Sequence, residues 1–358
     1  MTRKTVVTLL AIILVLAVVW GLTAYQRARK TQDLLTQLAE QDEGAAMEAM
    51  AQLRHRGSQL GDLLVPYLTS ENERVRWRAA VLCAEVGAKA MAITDRLILL
   101  LADPVPAVQR AAALACGTLQ LKETEAPILQ LLGDTDQSPL TRAVAAQALG
   151  TLRAEGAVDT LAALLKQHPL VEPKVEEEEE PAEVKPAGTA TPAATPAAAA
   201  GTAPAATAAA PAATPAAAPA AEAPPPDDLW HGRMEAAWSL GQIGTPKCAA
   251  PLAETARDDV EPRVDVRVAA AYALGDLGAS ARAHESLATV VNALVEALGD
   301  EAGDVRLAAA TSLARVYPPE GLRTKVETAL REHMNDDHFW VRRAVEFAMR
   351  GLVVSPTG

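Results

Sequence analysis

Paired small residues recur along this chain with a period near 33. Alignment on Val75, Val108, Thr141, Gly232, Val266, Val305 and Val341 gives steps of 33 and 33, one long jump, and then 34, 39 and 36. Four and five places after the anchor stand Ala79-Ala80, Ala112-Ala113, Ala145-Ala146, Ala236-Ala237, Ala270-Ala271 and Ala309-Ala310; only the last unit departs, with Val345-Glu346. Alanines at a helix crossing let neighbouring helices approach closely. Eight places after the anchor comes a larger core residue: Cys83, Cys116, Leu149, Leu240, Leu274, Leu313 or Met349. Gly150, Gly241 and Gly275 follow directly, and Gly87, Gly244 and Gly278 stand four residues after the core residue. These glycines are expected to end the helix in the left-handed conformation.

A second amphipathic helix is predicted after each turn, as at Thr94–Leu101, Ala126–Leu132, Val158–Lys166, Leu287–Leu298 and Arg323–Arg331. Asp103-Pro104, Gly133-Asp134, Gly299-Asp300 and Asn335-Asp336 restart the cycle. A degraded unit precedes Val75, with helices at Ala45–Leu53 and Leu60–Leu68, and the last unit is expected to lack its second helix. One helix pair cannot bury its own apolar face, but stacked pairs share a core. The predicted fold is all-α, an α-solenoid of about eight helix-pair repeats. It divides into arrays at 31–168 and 229–354.

Composition agrees with helix and not with sheet. Half the residues are hydrophobic, yet only 3 % are aromatic; sandwiches and barrels lean on β-branched and aromatic side chains. The net charge of −12 is unevenly placed, because 169–228 holds ten acids against two lysines. That leaves −4 for the rest of the chain and disfavours nucleic acid as a partner. The same segment carries Glu176–Glu180 and 13 of the 24 prolines. It has no apolar period to bury, so it is expected to be a disordered Ala/Pro-rich linker. It falls where an inter-repeat loop belongs. Either it joins two separate arrays or it hangs from one continuous stack. The continuous stack is expected, because loop closure grows costly only slowly with length.

The strings Asp-Val-Arg-Leu-Ala-Ala-Ala at 304–310 and Val-Asp-Val-Arg-Val-Ala-Ala-Ala-Tyr-Ala-Leu-Gly at 264–275 resemble the HEAT-repeat family, especially the short HEAT-like repeats of phycobilin lyases. The resemblance implies an α-solenoid and usually a protein-binding role. It implies no particular reaction. An accessory lyase or small-ligand-binding protein of the same kind is the alternative.

Arginine stands at or beside the second place of each unit: Arg76, Arg110, Arg142, Arg233, Arg267, Arg306 and Arg342. Asp136, Asp227, Glu261, Asp300 and Asp336 lie six residues before the arginine of their units. The arginines could form a basic ridge. The expected arrangement is instead a structural ladder, each guanidinium holding an acid at the turn of its own or the next unit. HEAT-like repeats use the position in that way.

No catalytic, cofactor or metal site is expected, and the chain is not expected to be an enzyme. Cys83 and Cys116 occupy the leucine place of successive units and are expected to be small buried hydrophobes; Cys248 is placed in a second helix. The related deoxyhypusine hydroxylases use four His-Glu pairs to hold iron, whereas this chain has one, His284-Glu285. Trp77, Tyr272 and Trp340, with Phe339, are the candidate protein-binding surface, either as contact residues or as packing against the next repeat. The partner expected is an unidentified protein or peptide.

Thr5–Tyr25 is a run of 21 uncharged residues, flanked by Arg3 and Lys4 before it and Arg27, Arg29 and Lys30 after it. A helix of that length matches a hydrocarbon core of about 30 Å. Leu22-Thr23-Ala24 is a poor signal-peptidase site, so an uncleaved single-pass anchor at 5–25 is expected. The flanking charges are nearly balanced; the short leading tail places the repeats outside the cytoplasm. A reporter active only in the cytoplasm, fused after Gly358, should stay silent, and activity from it would reverse the orientation.

Overall fold

A computed structural model describes the backbone of residues 3–40, 42–87, 91–167 and 229–354. The expected linker at 169–228, with Asp227, lies outside the described residues. The described chain is all-helical. After α1 (Arg3–Leu38) come α2 (Glu43–Arg54), α3 (Gly61–Leu68), α4 (Glu73–Val86), α5 (Met91–Leu100), α6 (Pro106–Thr118), α7 (Glu125–Gly133), α8 (Pro139–Leu152) and α9 (Val158–Leu165). Beyond the gap are α10 (Trp230–Ile243), α11 (Ala249–Thr255), α12 (Val264–Ala279), α13 (Leu287–Ala297), α14 (Gly303–Leu313), α15 (Glu320–Glu332) and α16 (Phe339–Val354). Even-numbered helices are the first helices of their units, and the odd-numbered ones from α3 onward are the second.

Local chemistry sets the boundaries. Asn72 Oδ1 accepts from Arg74 N at 2.9 Å to start α4, and Ser138 Oγ accepts from Thr141 N at 3.1 Å to start α8. Pro106 and Pro139 stand in the first turn, where the missing N–H costs nothing. Gly87 and Gly244 end α4 and α10 at φ 65° and 69°. Short 3-10 turns at Lys122–Thr124, Glu155–Ala157 and Pro246–Cys248 lead into the second helices. Cys248 therefore closes a turn ahead of α11 and is not inside a second helix.

From α4 onward, the first helices pack directly on one another in chain order. The paired alanines are fully buried at these crossings. Gly150, Gly241 and Gly275 were expected to end their helices and do not; they lie inside α8, α10 and α12. Each faces the next unit at backbone distance. A Cβ at Gly150 would stand 2.6 Å from Ser239 Cα, one at Gly241 2.9 Å from Ala273 Cα, and one at Gly275 2.6 Å from Ser312 Cβ. Gly278 likewise lies within α12, against Val316.

The stack runs through the gap. Ser239 Oγ of α10 donates to Ala146 O of α8 at 2.8 Å, as Ser312 Oγ of α14 donates to Ala271 O of α12 at 2.9 Å. Met1–Val171 and Asp227–Gly358 form one compact unit.

At the other end, α1 runs on past the apolar segment and buries Leu34, Leu35 and Leu38. Arg78 of α4 is almost fully buried and donates to Leu38 O and Glu40 O, both at 3.0 Å, capping the C-terminus of α1. The anchor expectation receives no support here. No helix among the described residues is long and apolar enough to cross a membrane. The side chains of residues 1–12 lie outside the described ones, and those of Ile13–Leu16, Val18–Trp20, Leu22 and Tyr25 are exposed.

An arginine ladder joins four of the units to the next. Arg76 holds Asp103 through two bonds of 2.7 and 3.0 Å, Arg233 holds Glu261 at 2.8 and 3.0 Å, Arg267 holds Asp300 at 2.8 and 2.9 Å, and Arg306 holds Asp336 at 2.8 and 2.9 Å. The third nitrogen of Arg76, Arg267 and Arg306 reaches back to two carbonyls of its own loop. Each acid also accepts the N–H two residues on, at Val105, Arg263, Ala302 and His338. Three positions depart from the expectation, the first being Arg110, which donates to Thr141 Oγ1 at 3.4 Å. Asp136 is exposed and holds no arginine; Arg142 donates instead to Leu132 O at 3.1 Å and Gln167 Oε1 at 3.0 Å. Burial lowers the Arg142 pKa, offset in part by the charge of Asp134. Arg342 donates to the carbonyls of Asp336 and Asp337 and lies over Phe339.

Proteolysis within 169–228 should leave the halves co-eluting on size exclusion, and separation would break the continuous stack. Arg306→Ala should cost about 1–3 kcal/mol in chemical denaturation. Arg233→Ala should cost more, about 3–5 kcal/mol, because both it and Glu261 are sealed from water. Burial by itself would raise the Asp336 carboxyl, but bonds from Arg306, the His338 N–H and His333 win and hold it below the usual range. Its stabilisation is therefore complete above the ordinary carboxylate pKa of about 4 and is lost as pH falls through the lower folded value. Arg306→Ala should move that acid loss upward in a pH-dependent melt.

Candidate functional site

Packing dictates which side chains the first helices show to water. Positions four, five, seven and eight after the anchor turn into the stack. Those one before, two after and six after lie three or four residues apart and share the opposite face. Apolar residues fill much of that face. Trp77 and Val81 come from α4, Leu114 from α6, Leu140 and Val144 from α8, Met234 and Trp238 from α10, and Val268 and Tyr272 from α12. Leu307 of α14 and Trp340 and Phe347 of α16 continue it. Leu114 is 40 % exposed, Leu140 54 %, Trp340 61 % and Phe347 68 %, values that no core side chain approaches.

The three aromatic candidates all lie on this face but are not brought together. Trp77 and Tyr272 are half-buried and pack against the core below them. Tyr272 stacks on Trp238 of the preceding unit, with ring centroids 5.9 Å apart and planes 13° from parallel. Trp340 is exposed and meets Phe339 edge-on at 5.0 Å. Arg263 lies over Trp230 at 4.8 Å. Trp238, Leu114, Leu140 and Phe347 were not singled out from the sequence as surface residues. The signal that finds them is the column six places after the anchor, with the column one place before it.

Charge borders the face. Arg54 pairs with Glu85 and Arg315 with Asp276, each bridging neighbouring first helices at 2.6 Å. Burial raises the Glu235 carboxyl, with a small opposing effect from His231.

The thiols have no reactive setting. Cys83, Cys116 and Cys248 are buried and unbridged. Burial pushes Cys83 and Cys116 up to about 12, which keeps them protonated at neutral pH. His284 and Glu285 are exposed. Among the described residues no three His, Cys, Asp or Glu side chains are placed to hold a metal ion. Two cavities open beside the second helices. One of about 340 Å³ is lined by Arg257, Asp258, Asp259, Glu296 and Asp300; the other, about 470 Å³, lies between α5 and α7.

Comparison with known proteins fits this architecture. The family pattern described as HEAT repeats matches residues 93–172 and 261–350, and that of the PBS lyase HEAT-like repeat matches 232–258. No curated protein matches significantly. Among solved structures, the complex of CpcE and CpcF of phycocyanin lyase from Nostoc sp. PCC7120 is 18 % identical, with 82 % of this chain and 94 % of that one covered and a TM-score of 0.43. Human deoxyhypusine hydroxylase in complex with glycerol is 18 % identical over 94 % of this chain and 100 % of that one, with a TM-score of 0.33. An engineered protein is 16 % identical over 82 % and 96 %, with a TM-score of 0.39. Likenesses at these values say nothing of what this chain does. With helix pairs in phase along the stack and repeat patterns over more than half its length, the chain belongs to the HEAT-repeat family.

Proposed function

We propose that the chain is a scaffold that binds a protein or peptide along its first-helix face. In this reading the 5–25 segment tethers it to a membrane, with the repeats outside the cytoplasm. The observation that carries the binding role is the run of exposed and half-exposed apolar side chains on that one face, through seven successive first helices. Apolar patches of this extent on a folded surface mark contact sites. Aromatic side chains within them, here Trp77, Trp238, Tyr272 and Trp340, supply large contact area at small entropic cost. The reading is one of binding and not of catalysis. Its polar neighbours are charge pairs between helices, and Cys83 and Cys116 are held protonated by burial. The tether rests on the sequence alone, on the uncharged run Thr5–Tyr25 with basic residues on either side.

The test uses the full chain, solubilised in detergent from its native membrane. Affinity capture should retain a protein in stoichiometric amount. A Leu140→Glu, Tyr272→Ala double variant with an unchanged helical melt should lose it. Equal retention by the variant would remove the binding role from this face. A retained chromophore or metabolite without protein would favour the small-ligand alternative. Release of the chain from membranes by an alkaline wash would remove the tether.

A further inference from the structure

The third repeat breaks the ladder. The place taken by Arg76, Arg233, Arg267 and Arg306 in their units holds Gln109, and the neighbouring Arg110 donates to Thr141 Oγ1 of the next unit at 3.4 Å. Gln109 is only 8 % exposed, and its Oε1 is buried with no donor. A buried acceptor left bare is costly and uncommon. Beside it lies the cavity of about 470 Å³ between α5 and α7. Ile98, Leu101, Pro127 and Leu131 supply apolar walls. Gln109, Gln130, Gln137 and Asp134 supply the polar end, and no basic side chain lines it. The Asp134 carboxylate accepts from Gln137 Nε2 at 2.9 Å and from Asp136 N at 3.0 Å, which holds its pKa low and keeps it ionised.

We propose that this cavity receives an arginine side chain from a protein partner, which completes the missing rung in trans. At the intact rungs the guanidinium is itself nearly buried, with side-chain exposures of 13 % at Arg76, 7 % at Arg267 and 11 % at Arg306. A buried acceptor at Gln109 therefore stands at the depth where this fold already keeps a cation. The fork of N–H donors suits a carboxylate and an amide oxygen together. The apolar walls suit apolar residues on either side of the arginine. The site lies beside the second helices, away from the first-helix face, and does not depend on that face binding anything.

The test titrates the full chain in detergent with fluorescent acetyl-Leu-Arg-Leu-amide. Saturable binding is expected. Replacing the arginine by citrulline, neutral and nearly isosteric, should weaken it about tenfold or more. Gln109→Arg should fill the rung from within, raising the melting midpoint and weakening the peptide to the same degree. If that variant fails to fold, Asp134→Asn at the exposed loop should reduce affinity in its place. Leu140→Glu with Tyr272→Ala should leave peptide binding unchanged, which separates this site from the first-helix face. Absence of binding, equal binding of the citrulline peptide, or full binding to Gln109→Arg would overturn the proposal. L-Argininamide binding as tightly as the peptide would overturn the protein partner and point to a small guanidinium compound.

Discussion

First helices that touch at backbone distance are the constraint on which the structure depends. Gly150 against Ser239, Gly241 against Ala273 and Gly275 against Ser312 leave no room for a Cβ on the glycine side. Dispersion at that range is gained along the whole crossing and not at one large side chain. The constraint explains a chain that is half hydrophobic yet only 3 % aromatic. At the closest crossings of the first helices the core admits alanine, glycine and serine; larger buried side chains of these helices, such as Leu240, Leu274 and Val305, lie beside the crossing. The aromatic side chains Trp77, Trp238, Tyr272 and Trp340 are left to the solvent face of their first helices. The apolar face is thus a by-product of the packing rule, and binding is the use to which such a face can be put.

The ladder answers a different difficulty. Each inter-unit loop turns sharply and leaves carbonyls and N–H groups to satisfy. One acid takes the N–H two residues ahead, and the preceding unit's arginine holds that acid while also taking loop carbonyls of its own. Burying such a pair costs desolvation of both charges, so its net contribution to stability is small beside the cost of breaking it. Its larger effect is on register. A guanidinium fixed at three points permits one placement of the next loop, and slipping the repeat would strand a charge. Arg142 shows the same side chain without its acid: it recruits Leu132 O and Gln167 Oε1, and burial draws its pKa down.

The helix pairs, their order and the buried alanines were legible because small residues recur in phase, and periodic spacing survives weak similarity. The sense of the ladder was not. The offset from an arginine to the acid of its own loop is constant at six, whereas the offset to the acid it actually holds is 27, 28, 33 or 30 residues. A variable spacing leaves no sequence signal, and so Asp136 was expected to hold an arginine when it does not. Gly150, Gly241 and Gly275 were misread because a glycine after a core residue resembles a helix stop. Only the neighbouring helix, distant in sequence, reveals the need for a missing side chain. Trp238 does not stand out in the sequence as part of a face. The column that contains it emerges only when one helix surface is compared across units.

The junction between α8 and α10 carries the same logic furthest. Its contacts repeat those of an ordinary unit boundary: a glycine against a serine, a serine hydroxyl on a carbonyl of the preceding first helix, and Arg233 reaching Gln167 O on the far side. The described chain leaves after Gln167 and resumes at Leu229, the place where other units make their acid turn. The intervening sequence is therefore inserted at one unit boundary, and closing a longer connection adds only slowly to the entropic cost. The first-helix face meanwhile passes uninterrupted from Leu140 and Val144 to Met234 and Trp238. A partner that spans the junction would couple the two halves through the same apolar contacts that each half offers alone.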